Sequence, residues 1–364
     1  MKRYRILFCL WLAFLIGIWI FGSSNSALYA AAATLVCLIP EAIIAFSVRR
    51  NAAVSLSAPV SAAKAADVSL TVTVHNAAMF GASRVRVKLR LQNLLTGESE
   101  NKTVWLAVDR RTKADALSSF VPSHCGKISV TAEELDVFDA FGFFCLKKPV
   151  SENTAVLILP QIYPIQISIG QHSAQDPDSA EYSMLRAGND PGETFALREY
   201  RPGDRIRDIH WKLSEKTDRL TVREYGLPVN NTILILYDNI CTDGGRTADM
   251  CENIGESTVS FSAALCEAKL PHDIGLYDAE KRSIVLIHIT GEDDLNASLS
   301  DILSAQPTAD SLTVTEHLCE QYDPSCFAHV LVVTDRGQDD RLIGNTVFSY
   351  LEPPKEKENV YAEI

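Results

Sequence analysis

The chain has 364 residues, 47% of them hydrophobic, and a formal net charge of -12 with a pI near 5.2. That length accommodates two or three domains with sizeable cores. The acidic balance excludes generic nucleic-acid binding, which needs a basic footprint to release counterions.

The first predicted elements are membrane spans. From Ile6 to Pro40, 35 consecutive residues carry no charge. The segment Gly22–Ser26 breaks this run into two candidates, Ile6–Phe21 and Ala27–Val48, each close to the ~20 residues that a bilayer core requires. Lys2, Arg3 and Arg5 precede the first, Arg49 and Arg50 follow the second, and the segment between them is uncharged. Residues 1–50 therefore read as a two-helix transmembrane anchor, with both termini and the bulk of the chain cytoplasmic. A cleaved signal peptide is the competing reading, given the basic start and Ala30–Ala33. A second apolar run ending in Arg49–Arg50 opposes it. Glu41 falls inside the second span. An intramembrane carboxylate is by default a functional candidate; the simpler reading puts it toward the cytoplasmic end, reaching headgroups or neutralised by a partner helix.

Residues 51–165 alternate with period two in Val68–Asn76, Arg84–Gln92 and Lys102–Arg110, separated by turn signals. This predicts an antiparallel β-sandwich, interrupted by a helical pattern only around 131–142 and closed by the strand Val156–Ile165. The basic residues of Arg84–Arg90 read as a solvated sheet face. Residues 166–190 are polar and read as a linker.

The stretch Arg198–Glu224 carries eight basic and six acidic residues. Pro202–Gly203 predicts a turn, and Asp204 a helix N-cap. Ile206, Ile209 and Leu213 fall at helical spacing, and a strand begins near Leu220. His210 has no sequence-visible nucleophile beside it. Two readings stay open: a helix-strand insert with surface ion pairs of little worth, or a docking face anchored by Arg and Trp side chains.

From Asn231 the pattern becomes α/β. Thr232–Asn239 and Phe327–Asp335 are continuous apolar runs, as strands buried on both faces would be. Between them lie a helix over 247–269, a hairpin (Asp273–Tyr277 with Ser283–Ile289), and helices over 293–304 and 311–321. These predict an open, mostly parallel sheet with one antiparallel edge across 231–351, followed by a polar tail, 352–364. Asp238 and Asp335 end their strands, where ligands of such sheets bind. As paired carboxylates they suit a hard cation such as Mg²⁺, with Thr242 and Asp243 adding oxygens; equally, both serve as caps of strand-to-helix turns.

At this point the residues resemble a known family. Arg198, Glu199, Tyr200, Gly203, Asp204, Arg207, Ile209, Trp211, Ser214, Val222, Arg223 and Glu224 fit the signature of the bacterial membrane-protein family catalogued as domain of unknown function fifty-eight. Asp139–Phe144 resembles that family's Asp-Pro-x-Gly-Leu-Phe, with Ala140 in place of Pro. The resemblance implies a transmembrane helical hairpin, an antiparallel β-sandwich and an α/β von Willebrand factor A-like domain of Rossmann type. It implies a Mg²⁺ site at Asp238, Thr242 and Asp335, degenerate because Ile240 replaces a Ser, with Thr308 taken for the separate middle Thr. On the docking reading, the stretch is an interaction motif of Arg198, Glu199, Tyr200, Gly203, Asp204, Arg207, His210, Trp211 and Lys212. A MoxR-type AAA+ ATPase and a transglutaminase-like membrane protein are the implied partners. The expectation is a membrane-anchored, non-enzymatic adaptor; the alternative is a divalent-metal-dependent hydrolase using Asp238 and Asp335.

Overall fold

The computed structural model describes residues 2–22, 25–36, 38–140, 142–168, 182–188, 190–201, 208–217, 219–228, 232–241, 245–337, 340–343, 346–354 and 360–363. It divides into two compact units, Met1–Leu159 and Pro160–Ile364.

The first unit begins with three helices, α1 (Lys2–Phe21), α2 (Ser26–Val36) and α3 (Leu38–Asn51). One helical run, Ser26–Asn51, is long and apolar enough to cross a membrane, with a mean hydropathy of 2.1; the apolar stretch Leu10–Ile20 within α1 is shorter than a span. Eight strands follow: β1 (Ala52–Ser57), β2 (Ser61–Ala63), β3 (Val68–Asn76), β4 (Ala82–Asn93), β5 (Ser99–Val108), β6 (Lys113–Phe120), β7 (Gly126–Phe138) and β8 (Cys145–Leu159). They form one sheet in the order β1-β3-β6 and another in the order β2-β8-β7-β4-β5. Alternation aims Val68, Leu70, Val72 and Val74 of β3, and Val85, Val87 and Leu89 of β4, into one core. The last turns of α3 join that core through Ala45 and Val48, both essentially buried. The basic face of β4 is matched across the ladder. Arg86 pairs with Asp136 and Lys88 with Glu134 on β7, and the Arg86 guanidinium lies 5.3 Å from the centre of the Trp105 ring. Of the helical pattern expected around 131–142, residues 131–138 are strand instead, because cross-strand pairing decides the conformation there.

The second unit opens with β9 (Ile165–Ser168), β10 (Tyr182–Gly188), β11 (Asp190–Glu199), a helix of about two turns, α4 (Trp211–Thr217), and β12 (Thr221–Pro228). There follow β13 (Thr232–Tyr237), β14 (Ile240–Cys241), α5 (Ala248–Glu267), β15 (His272–Asp278), β16 (Ser283–Ile289), α6 (Glu292–Ile302), β17 (Thr308–Ala309), α7 (Val314–Gln321), β18 (Phe327–Val333), β19 (Arg341–Ile343), β20 (Thr346–Leu351) and β21 (Val360–Glu363). The main sheet has six strands in the order β16-β15-β13-β18-β20-β19. The central four run parallel, and both edge strands are antiparallel. The sequence reading expected one antiparallel edge and missed β19 and β20. Leu234 and Leu236 share a core with Val314 and Leu318 of α7, while α5 packs on β13 and β18. With both faces covered, the run Thr232–Tyr237 has no polar side to present.

Three expectations along the chain are corrected. The strand expected to close the sandwich at Ile165 ends at Leu159, and Ile165–Ser168 forms a separate strand in the second unit. The expected polar tail 352–364 contains β21, which pairs in parallel with β9. The expected linker 166–190 contains β10, within a three-stranded sheet ordered β10-β12-β11. Residues 169–181 of that linker lie outside the described residues.

Candidate functional site

Two places carry the residues singled out by sequence. The first is the carboxyl end of the parallel sheet. β13 and β18 are neighbours with Tyr237 beside Val333, so Asp238 falls next to Thr334. The Asp238 amide donates to the Val333 carbonyl at 3.2 Å, and the Thr334 hydroxyl donates to Asp238 Oδ2 at 2.7 Å. Asp335, one residue on, turns into the same space.

A guanidinium fills that space. Arg246 precedes Thr247, the N-cap of α5, whose side chain accepts from the Met250 amide. Its Nη2 lies 2.6 Å from Asp238 Oδ2 and 2.7 Å from Asp335 Oδ1. Its Nε donates to Asp335 Oδ1 at 2.9 Å, and its Nη1 to the Asp238 carbonyl. The Arg246 side chain is only 6% exposed. Burial works against its charge, but the Asp238 carboxylate and the hydrogen bond it donates to Asp335 outweigh this and raise its pKa above the ordinary arginine value. A second arginine, Arg336, donates to the Ile240 carbonyl at 2.6 Å.

This arrangement does not fit a divalent cation. Asp238 and Asp335 converge as the sequence suggested, but on a fixed organic cation hydrogen-bonded to both. Ile240, in place of the Ser, is fully buried and donates its amide to Asp238 Oδ1. Thr308 pairs with Ile240 through β17, and its hydroxyl donates to the Gln306 carbonyl rather than toward the carboxylates. Thr242 and Asp243 lie outside the described residues. Nothing in the spacing announced Arg246. The one local signal was a basic residue after Gly244–Gly245 at the mouth of the expected cation site.

The nearby thiol of Cys251 is pushed up to about 11 by burial, which makes it an inert packing group rather than a nucleophile.

The second place is the signature stretch. β11 and β12 pair antiparallel, with Arg198 opposite Val222 and Glu199 opposite Thr221. The Tyr200 amide continues the ladder to the Leu220 carbonyl at 2.8 Å, and the His210 amide reaches the Thr221 carbonyl at 2.8 Å. Ile209 is bridged to Val222 rather than placed on a helix. The helix α4 starts at Trp211, and His210 caps it: His210 Nδ1 accepts from the Leu213 amide at 3.2 Å, and the His210 carbonyl accepts from the Ser214 hydroxyl. Ser214 is buried and its Oγ accepts from the Thr221 amide at 2.9 Å, tying helix to strand. His210, Ser214 and the backbone thus hold Trp211 and Lys212 outward; Trp211 is 60% exposed and Leu220 48%. Trp211, Ser214, Glu215, Arg219 and Leu220 line a shallow groove. Arg219 and Glu199 form an exposed ion pair at 2.8 Å. Gly203, Asp204 and Arg207 lie outside the described residues.

Two buried histidines set an acid limit on the second unit. His272 accepts or donates at 2.7 Å with the Ser262 hydroxyl, and His329 at 3.0 Å with that of Ser349. Burial lowers both below the ordinary value of 6.5. As pH falls through that value the unfolded chain takes up protons that the folded chain refuses, so stability is lost on the acid side. The unfolding midpoint is expected to drop between about pH 7 and 5, and His272→Gln with His329→Gln to flatten that drop; an unchanged slope would contradict the assignment.

No curated protein matches the sequence. Among solved structures, 30% of this chain is similar to a CARDB domain from Pyrococcus furiosus, at 14% identity over 92% of that chain with a TM-score of 0.23. The same share is similar to a cohesin module from a Clostridium perfringens glycoside hydrolase (8% identity, 96% of that chain, TM-score 0.23). It is also similar to a β-glucosidase from Erythrobacter marinus (13% identity, 15% of that chain, TM-score 0.21). At these scores none of the three bears on fold or function. Residues 196–340, which take in the signature stretch, Arg246 and both aspartates, match the family model described as Protein of unknown function DUF58, which supports reading the chain as a protein of that family.

Proposed function

We propose that this chain is a membrane-anchored, non-enzymatic interaction protein. Its helices α1 and α2–α3 are read as a returning pair of spans that leaves both termini and the two folded units in the cytoplasm. Its parallel-sheet region is read as a von Willebrand factor A-like domain, and its partner as a MoxR-type AAA+ ATPase, with a transglutaminase-like membrane protein as a further candidate. The observation that carries this reading is Arg246. An acidic pair at the carboxyl end of a parallel sheet is where an ion or a catalytic base would work, and here both carboxylates are engaged by an internal cation. The same observation weighs against a metal-dependent hydrolase built on Asp238 and Asp335. What the second unit offers outward is the presented Trp211 with Arg219, residue types enriched at interface hot spots, beside the exposed Leu220.

The test is affinity capture of the full chain from its native membranes, with and without ATP, followed by mass spectrometry. An AAA+ ATPase is expected among the recovered proteins. Recovery of no protein above a mock capture under any nucleotide condition would contradict the proposal.

A further inference from the structure

The loop that follows β7, Asp139–Phe144, described at residues 139, 140 and 142–144, sits against the anchor helices. The Ala140 amide donates to Glu41 Oε2 at 3.2 Å. The Phe143 ring packs on Phe8 of α1 with centroids 4.5 Å apart. Phe144 lines an apolar groove with Leu38, Ile39, Ala42, Ile43 and Phe46 of α3. The loop is built to hold this shape. Asp139 Oδ1 accepts from the Phe144 amide at 2.6 Å, the Asp139 carbonyl accepts from the Gly142 amide at 3.1 Å, and Gly142 adopts φ +76°, a conformation that favours glycine.

The depth of this loop follows from the helix. Arg49 and Arg50 mark the end of the span at the headgroups. Glu41 lies eight residues earlier on the same continuous helix, about 12 Å along the axis, against a headgroup layer of roughly 5–8 Å. A loop bonded to Glu41 therefore reaches the boundary between headgroups and hydrocarbon. Around it, basic groups gather in a chain whose net charge is -12. Arg49 Nε donates to the Lys147 carbonyl at 2.7 Å, and Lys148 Nζ donates to the Ala52 carbonyl at 2.6 Å. Lys147 is 61% exposed, with its ammonium 3.1 Å from Glu134 Oε1. Such a collar suits anionic headgroups. Irregular backbone survives at this depth only if its polar groups are satisfied. Here the backbone amides of Ala140, Gly142 and Phe144 have acceptors, that of Ala140 being the anchor's own carboxylate, while the side-chain Oδ2 of Asp139 is buried without a partner.

We infer that the Asp139–Phe144 loop is a membrane wedge. Phe143 and Phe144 insert at the interface beside the anchor, lipid acyl chains occupy the groove between Phe144 and α3, and Glu41 serves to accept the loop's amide. This inference rests on the reading of α1–α3 as a membrane anchor.

The test uses the full chain reconstituted in vesicles of phosphatidylethanolamine and phosphatidylglycerol, with the photoreactive residue benzoylphenylalanine placed singly at three positions. Tyr29, 69% exposed on α2, reports on the anchor. Phe144 reports on the loop. Val121, 60% exposed just beyond β6 at the end of the sandwich opposite Ala52, reports on water-facing surface. Lipid adducts at 144 are expected within about twofold of those at 29, and on the order of tenfold above those at 121, as for hydrocarbon against water. Adducts at 29 but not at 144 would overturn the wedge and leave the anchor standing. Adducts at neither would overturn both, and adducts at 121 equal to those at 144 would overturn the depth ordering. Because the substitution at 144 exchanges one aromatic for another, loss of the fold is not the expected cause of a negative result; unchanged circular dichroism of the reconstituted variant checks this.

Discussion

Arg246→Ala is expected to cost the second unit about 3–5 kcal/mol, the usual consequence of removing one partner from a buried ion pair. The reason is local. Both Asp238 and Asp335 accept hydrogen bonds from one guanidinium, and without it a buried and a half-buried carboxylate face each other. The same substitution should create what the native chain lacks, an open acidic pair with the Thr334 hydroxyl beside it. Millimolar Mn²⁺ or Mg²⁺ should then raise the stability of the variant, by about 2.7 kcal/mol at a hundred times the dissociation constant, and leave the native chain unchanged. Denaturant unfolding with and without the ion reads both effects. Equal stabilisation of native and variant chains would mean that Arg246 yields its place to a metal.

Trp211→Ala is expected to weaken partner binding by on the order of 30-fold, about 2 kcal/mol. Stability should change by no more than about 0.5 kcal/mol, because the indole is largely exposed and the cap and strand bonds of His210 and Ser214 do not depend on it. Titration of the captured partner against native and variant chains separates the two quantities. An unchanged affinity would move the interface away from α4.

How much of this was legible depended on whether the information was local. The period-two runs of β3, β4 and β5 declared themselves because each strand buries one face. The continuous runs of β13 and β18 did so because both faces are covered. The region 131–138 misled because its alternation is broken. The ladder shifts register between Ala132 and Glu134, and Asp136 is buried through its pairing with Arg86 on another strand. The start of α4 misled for a related reason: the spacing of Ile209 fits a helix, but its pairing with Val222 holds it extended. The C-terminal Val360–Glu363 looked like tail because its partner, Ile165–Ser168, lies nearly two hundred residues away. The convergence of Asp238 and Asp335 was readable from strand ends, whereas Arg246 was not. An arginine 8 residues from one carboxylate and 89 from the other enters the site only through the turn that launches α5. Glu41 was visible as an anomaly within an apolar span, but its acceptor role needed the loop 99 residues away.

The most direct test of docking without a metal is nucleotide-free capture of the partner from native membranes in Mg²⁺ and in excess chelator. The presented Trp211 surface and the Arg246-filled acidic pair predict the same partner in equal yield under both conditions, lost with Trp211→Ala. Recovery only in Mg²⁺, abolished by Asp335→Asn and indifferent to Trp211, would contradict the account.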